Sequence, residues 1–183
     1  RNHTTLSDEK LASIKVRNPA VGSGAFPVGM MSEIVRSRDV LKTWTKTKKT
    51  LYDFKRGCIE NSLYGVDIDS GAVEIAKLRL WLSLVVDEDD IQHIKPLPNL
   101  DYKVVQGNSL LGVEKNLFNL SLFTELETLK PLYFNATNIT KKKEYKTKID
   151  SLIDQITDGR AQFDFEIYFS EVFHEKNGFD LLI

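Results

Sequence analysis

Two glycines flank a serine in NPAVGSGAF, residues 18–26, directly after the short apolar stretch SIKV. Gly22 and Gly24 lack the β-carbon that would hold a ligand off the backbone, and they permit turns that other residues avoid. Where a helix opens after such a turn, its free amides favour a negative group. A lone Gly-x-Gly is also what any tight turn can contain, so its neighbours must decide. Asp67, in SLYGVDID, is the second candidate. An ionised carboxylate accepts from both hydroxyls of a ribose at once, each charge-assisted bond contributing about 1.5–3 kcal/mol. Ile68 would then lie against an adenine face, whereas the plainer reading of Asp67 is a solvated strand end. Asn108 and Ser109, in GNSLL, offer an amide and a hydroxyl to an adenine edge, with Gly107 allowing close approach. Taken alone, that segment is a turn. Asp69 reads as a helix cap.

The elements that position these residues follow from periodicity. Ser7 and the acids after it predict a short helix over 7–13, and SIKV a strand. Helical spacing begins near Phe26 and again over 50–61, and SLYGVDID is a strand ending in two acids. Ser70 opens a helix running to about Val86, a linker rich in Asp and Pro follows, and YKVVQ is a third strand. Residues 113–162 turn polar and helical, reading as an insertion before FDLLI resumes the strands. Strands alternating with helices predict an α/β fold with a mainly parallel sheet, in which ligands sit at the carboxyl ends of the strands. NPAVGSG, DID and GNSLL would all face that edge.

A nicotinamide-binding fold is the obvious competitor. Its fingerprint wants a third glycine where this chain has Pro27, and a ribose acid about 20 residues after the glycines. Asp67 lies 43 residues beyond Gly24, which disfavours a dehydrogenase.

Composition narrows the class further. With 183 residues, 42% of them hydrophobic, the chain can bury a substantial core as one domain. The longest apolar run, AVEIAKLRLWLSLVV, carries Glu74, Lys77 and Arg79, so it reads as a buried helix and not a membrane span. The N-terminal stretch lacks a signal peptide's apolar core and Cys58 is the single cysteine, so a cytoplasmic setting is expected. The glycosylation-type triplets at Asn2, Asn119, Asn135 and Asn138 then carry no weight. His3, His93 and His174 are scattered without ligand spacing, so no metal site is expected. Trp44 and Trp81 read as packing residues, and Asp87–Asp90 as solvent-facing. A net charge of -1 is not the footprint of a domain that grips nucleic acid unaided. Lysines do cluster at 42–49 and 141–148. A phosphate track would need such charges, and a solvated helix face is the plainer reading.

Together NPAVGSGAFPVGM, LYGVDIDSGAVEIAKLRLWLSLVV, VVQGNSLL and FEIYFSEVFHEKNGFDLLI resemble adenine-N6 DNA methyltransferases of the gamma arrangement. The likeness covers 14–111 and 163–183 in order, and is greatest to the fused restriction-modification enzymes of type IIG and type IIS. It implies a Rossmann-like, S-adenosylmethionine-dependent methyltransferase fold with a helical insertion, residues 1–183 being a partial methyltransferase domain, its cofactor-binding half. It also implies that Asn18, Pro19, Ala20, Gly22 and Gly24 hold the methionine part of the cofactor. Asp67 takes the ribose, Ile68 packs on the adenine, and Asn108, Ser109 and Leu110 border the ring.

Two departures from the family pattern stand out. The family usually has Asp where this chain has Asn18, and an amide cannot pair with the methionine ammonium as an acid would. The catalytic Asn-Pro-Pro-aromatic tetrapeptide, which accepts hydrogen bonds from the amino group of a flipped adenine and stacks on its ring, is expected just beyond Ile183. No catalytic residue is therefore assigned within the chain, and double-stranded DNA is expected to meet regions mostly outside it. A non-catalytic scaffold of the same fold, or an RNA or protein methyltransferase, are the other readings.

Overall fold

A computed structural model describes residues 3–86, 99–113, 120–159 and 162–183. The linker acids Asp87–Asp90 and His93 lie outside these residues. The chain divides into two compact units, one of Arg1–Gln106 with Phe179–Ile183, the other of Gly107–Gly178.

The first unit is built on a four-stranded, all-parallel sheet in the order β3-β2-β1-β4, so the chain is of mixed α/β type. Its strands are β1 (Val16–Asn18), β2 (Leu63–Asp67), β3 (Val104–Gln106) and β4 (Leu181–Leu182). Val16 pairs with Leu63, Gly65 with Val104 and Val16 with Leu181, which puts the carboxyl ends of β1, β2 and β3 side by side. Parallel neighbours need crossovers, and helices supply them. Helices α2 (Ala25–Thr45) and α3 (Leu51–Asn61) join β1 to β2 and α4 (Ser70–Val85) joins β2 to β3, while α1 (His3–Ser13) precedes β1. Val16, Leu63 and Val104 face a core filled by Met31, Ile34, Phe54, Ile59, Val73, Ala76 and Leu80 from α2, α3 and α4.

Local chemistry sets the helix ends. Thr50 and Asp53 form a reciprocal capping box at α3. Asp69, not Ser70, caps α4, accepting from the amides of Gly71 and Ala72. Ser7 is not a cap either: α1 starts one turn earlier and the Ser7 hydroxyl donates to the His3 carbonyl. The first strand begins at Val16 and not within SIK, and it carries Asn18 into the sheet. Helix α4 is only half buried. Val73, Ala76, Leu80 and Leu84 face inward, while Ile75, Leu78 and Leu82 are exposed. Trp44 is 68% exposed and so is not a packing residue.

Cys58 is buried, and desolvation pushes its thiol up to about 12, so it carries no reactive thiolate near neutral pH. No helix among the described residues is long and apolar enough to cross a membrane, and no group of three or more His, Cys, Asp or Glu among them could hold a metal.

The second unit contains α5 (Leu120–Asn135), α6 (Ile139–Ile156), α7 (Phe165–Tyr168) and α8 (Ser170–Lys176). Helices α5 and α6 form a hairpin, with Asn138 capping α6 through the Lys141 amide. Phe163 stacks on Tyr168 at 4.6 Å and meets Phe165 edge-on at 5.0 Å.

Candidate functional site

The glycine turn is assembled by its own backbone and by the end of β2. Asn18, 3% exposed at the end of β1, turns its Oδ1 back to accept from the Ala20 amide at 3.0 Å, so Pro19 and Ala20 leave the sheet in a tight bend. The Val21 amide donates to the Val66 carbonyl at 2.8 Å, and the Gly24 amide to the Val21 carbonyl at 3.0 Å. The bend is thereby pinned over β2. Gly65 is the strand residue beneath it. A β-carbon there would come within 2.8 Å of Val21 Cγ2, so its absence lets the turn settle onto the sheet.

Gly22 and Gly24 both have positive φ, 53° and 82°, the left-handed region. Gly22 has open space around its missing side chain. A β-carbon on Gly24 would stand 3.0 Å from Ala76 Cα, because α4 packs directly against the turn. Gly24 also begins α2 without a side-chain cap, leaving the Ala25 and Phe26 amides uncapped by any side chain at that end. Pro27 follows where an amide would have no helical partner.

Asp67 ties the turn to the second strand. Its Oδ2 accepts from the Gly22 amide at 2.7 Å and its Oδ1 from the Asp69 amide at 3.0 Å. Ile68, 68% exposed, stands beside it, its carbonyl held by Gln106 Nε2 at 3.1 Å. Asn18, Pro19, Ala20, Gly22, Gly24, Asp67 and Ile68 thus form one connected constellation at the carboxyl ends of β1 and β2. Asn108, Ser109 and Leu110 belong to the second unit. There Asn108 Oδ1 accepts from the Leu110 amide at 3.1 Å, and Leu110 is exposed. Gly107 is explained from within that unit: a β-carbon would lie 2.1 Å from the Phe163 ring, so the close approach it permits is by Phe163.

Sequence reasoning missed three supporting residues: Gln106, Ala76 and Arg79, whose guanidinium donates to Ser23 Oγ at 3.1 Å. Ala76 and Arg79 are three apart on α4, hence on one face. That spacing was available as a signal, but nothing in it named the turn as the partner.

A chemically coherent group of strand-end features results: uncapped backbone amides at the start of α2, a carboxylate with lone pairs to spare at the end of β2, and the exposed aliphatic side chain of Ile68 beside it. An ionised carboxylate can accept about four hydrogen bonds, and two are used here.

Comparison with known proteins places the chain in a family. A protein of Methanocaldococcus jannaschii named as a type II restriction enzyme and methyltransferase is 38% identical over 149 residues, which cover 75% of this chain. The chain spans 12% of the length of that curated relative. No solved structure matches. The family model described as Eco57I restriction-modification methylase matches residues 61–183, which run from the end of α3 through Asp67, the second unit and β4. With two thirds of its residues under that model and a relative of such identity, the chain belongs to the Eco57I restriction-modification methylase family.

Proposed function

We propose that this chain is the S-adenosylmethionine-binding part of a site-specific DNA adenine-N6 methyltransferase of the gamma arrangement, with a Rossmann-like fold, from a bifunctional restriction-modification enzyme of the cytoplasm. The observation that carries the proposal is the bond from Gly22 to Asp67, which locks a side-chain-free turn against a carboxylate at neighbouring strand ends. S-adenosylmethionine supplies an electrophilic methyl group on a sulfonium. The chain's own residues bind and orient it. The Asn18–Gly24 turn borders the methionine part, with the Ala25 and Phe26 amides near its carboxylate. Asp67 keeps one lone pair on each oxygen for the two ribose hydroxyls, and Ile68 covers the adenine face. Transfer to duplex DNA belongs to the longer protein, since no Asn-Pro-Pro occurs in these 183 residues. The chain alone should move no tritium from labelled cofactor to mixed-sequence DNA, whereas a polypeptide extended through such a tetrapeptide and a recognition domain should label adenine.

Isothermal titration with S-adenosylmethionine, S-adenosylhomocysteine and NAD tests the reading directly. Both adenosyl ligands should bind and NAD should not. Asp67→Ala should weaken adenosyl binding about 10- to 100-fold, the loss of charge-assisted ribose bonds partly replaced by water. Unchanged affinity would remove Asp67 from the site, tight NAD binding would overturn the family assignment's mechanistic reading, and no binding at all would favour a scaffold.

Asn18 yields a second prediction. Its Oδ1 is committed to the Ala20 amide, a bond an aspartate would keep, so Asn18→Asp adds a charge without dismantling the bend. Cofactor affinity should rise a few-fold through attraction to the methionine ammonium, and the gain should shrink as salt is raised. A flat or weakened affinity at low salt would mean that Asn18 only shapes the turn.

A further inference from the structure

The two lysine-rich stretches lie at opposite ends of their helices. Lys42 lies in the last turn of α2 and Lys46 is its C-cap, the Lys46 amide donating to the Lys42 carbonyl, with Lys48 and Lys49 just beyond. Unpaired carbonyls at a helix C-terminus favour cations, so this cluster is already accounted for within the chain. Lys141, Lys142, Lys143 and Lys146 occupy the first half of α6, the first three of them beside the unpaired amides that give the helix its positive end, and Lys148 follows just past its midpoint. No acid occupies the first turn, and Asp150 and Asp154 fall in the second half. Helix α6 thus carries its charges against its own dipole.

That arrangement is concentrated and accessible. Residues 141–148 hold five lysines and one glutamate, a net +4, against -5 for the rest of a chain whose total is -1. Lys141, Lys143 and Lys148 are exposed, and among the described residues none has a carboxylate within ion-pair distance. Lys142 is held over the buried Tyr133 ring, 5.3 Å from its centroid. Self-repulsion among these lysines, added to the unfavourable dipole, is relieved when an external polyanion lies across the helix end.

We propose that residues 141–148 of α6 are a phosphate-contacting surface for duplex DNA, with Lys141, Lys143 and Lys148 as its principal contacts. The choice of duplex DNA over other polyanions rests on the methyltransferase reading above; the surface itself rests on α6 alone. Phosphate contacts of this kind position a protein on its substrate and carry no sequence information.

Fluorescence anisotropy of the 183-residue chain with a labelled mixed-sequence duplex, from 50 to 200 mM NaCl, provides the test. Three phosphate contacts give a slope of about -2.7 in log affinity against log salt, hence roughly 40-fold weakening over that range. Lys141→Gln/Lys143→Gln/Lys148→Gln should bring the slope to between zero and about -1, and Lys46→Gln/Lys48→Gln/Lys49→Gln should leave it at about -2.7. No salt-dependent binding, an equal slope in the α6 variant, or tighter binding of an RNA of equal length would overturn the proposal. Titrating both variants with S-adenosylmethionine separates the two readings: intact cofactor binding with a failed DNA arm rejects this surface alone, whereas absent cofactor binding in the parent chain rejects the methyltransferase reading.

Discussion

Replacing Gly24 with valine should destabilise the protein by about 2–6 kcal/mol and abolish S-adenosylmethionine binding, because two independent constraints meet at one α-carbon. The first is conformational. At φ 82° a β-branched side chain is strained by about 1–3 kcal/mol. The second is spatial. The new β-carbon would stand 3.0 Å from Ala76 Cα and 3.1 Å from its Cβ, and a backbone atom in the middle of α4 cannot swing aside. Overpacking of this kind costs about 1–3 kcal/mol. Gly22 offers the control, since its φ is also positive but nothing lies within 4 Å of where its Cβ would be. Gly22→Ala should therefore cost only about 1 kcal/mol and leave the amide bond to Asp67 in place. Ala76→Gly added to Gly24→Ala should recover nothing, because it removes only the 3.1 Å contact with Cβ, leaves the 3.0 Å contact with Cα and the strain, and costs about 1 kcal/mol as a glycine inside α4. Urea unfolding of the four variants checks this, and equal losses at Gly22 and Gly24 would refute the packing argument.

The same pair of glycines shows what could be read without coordinates. That the stretch between β1 and α2 had to be a turn was legible from residue types, as was the strand ending at Asp67 and a helix directly after it. Asp69 as the cap was legible too, because short polar side chains before a helical run have few other uses. The bond from Gly22 to Asp67 was not. It joins residues 45 apart, and no periodicity couples two strand ends; only the parallel pairing of β1 with β2 brings them together. Nor could spacing show that Gly107 is needed by Phe163, 56 residues later, when a ligand would have asked for the same glycine.

Long elements were easier than short ones for a physical reason. Helices α2 and α4 extend over 21 and 16 residues, several turns of an apolar stripe, whereas α7 and α8 have four and seven and never complete two. Their stability comes from what surrounds them. Asp164 caps α7 through the Glu166 and Ile167 amides, and Phe163, Phe165 and Tyr168 pack against one another. Length alone did not ensure a correct burial reading either: α4 is apolar nearly all round, but one face remains exposed. A hydrophobic run says that a helix has apolar partners to seek, not that every face of it finds one within the chain.

Lys130 is the largest departure from what composition suggests, and its removal should cost the second unit about 3–5 kcal/mol. Lysine is almost never fully buried unless paired. Here it is 0% exposed, beside Pro131, which forfeits one backbone bond of α5. Its ammonium donates to the Ile167 carbonyl at 2.8 Å and to the Tyr168 carbonyl, both at the end of α7, and lies 3.6 Å from Glu171 Oε2. Both Glu171 carboxylate oxygens are buried without a hydrogen bond, so the lysine's charge is what balances them. Lys130→Met keeps the stem's volume but strands two carbonyls and a buried carboxylate together. Adding Glu171→Leu removes the stranded charge and should restore about half the loss, while the carbonyls still go unmet. Burial holds the Lys130 pKa below its ordinary 10.5, so the unfolded chain binds this proton more tightly than the folded one. Stability owed to this group should consequently rise with pH from the lowered folded value up to 10.5 and level off above it. Urea unfolding across alkaline pH checks both statements: that rise should be absent from Lys130→Met, and a methionine variant as stable as the parent would show that the ammonium is dispensable to the α7–α8 corner.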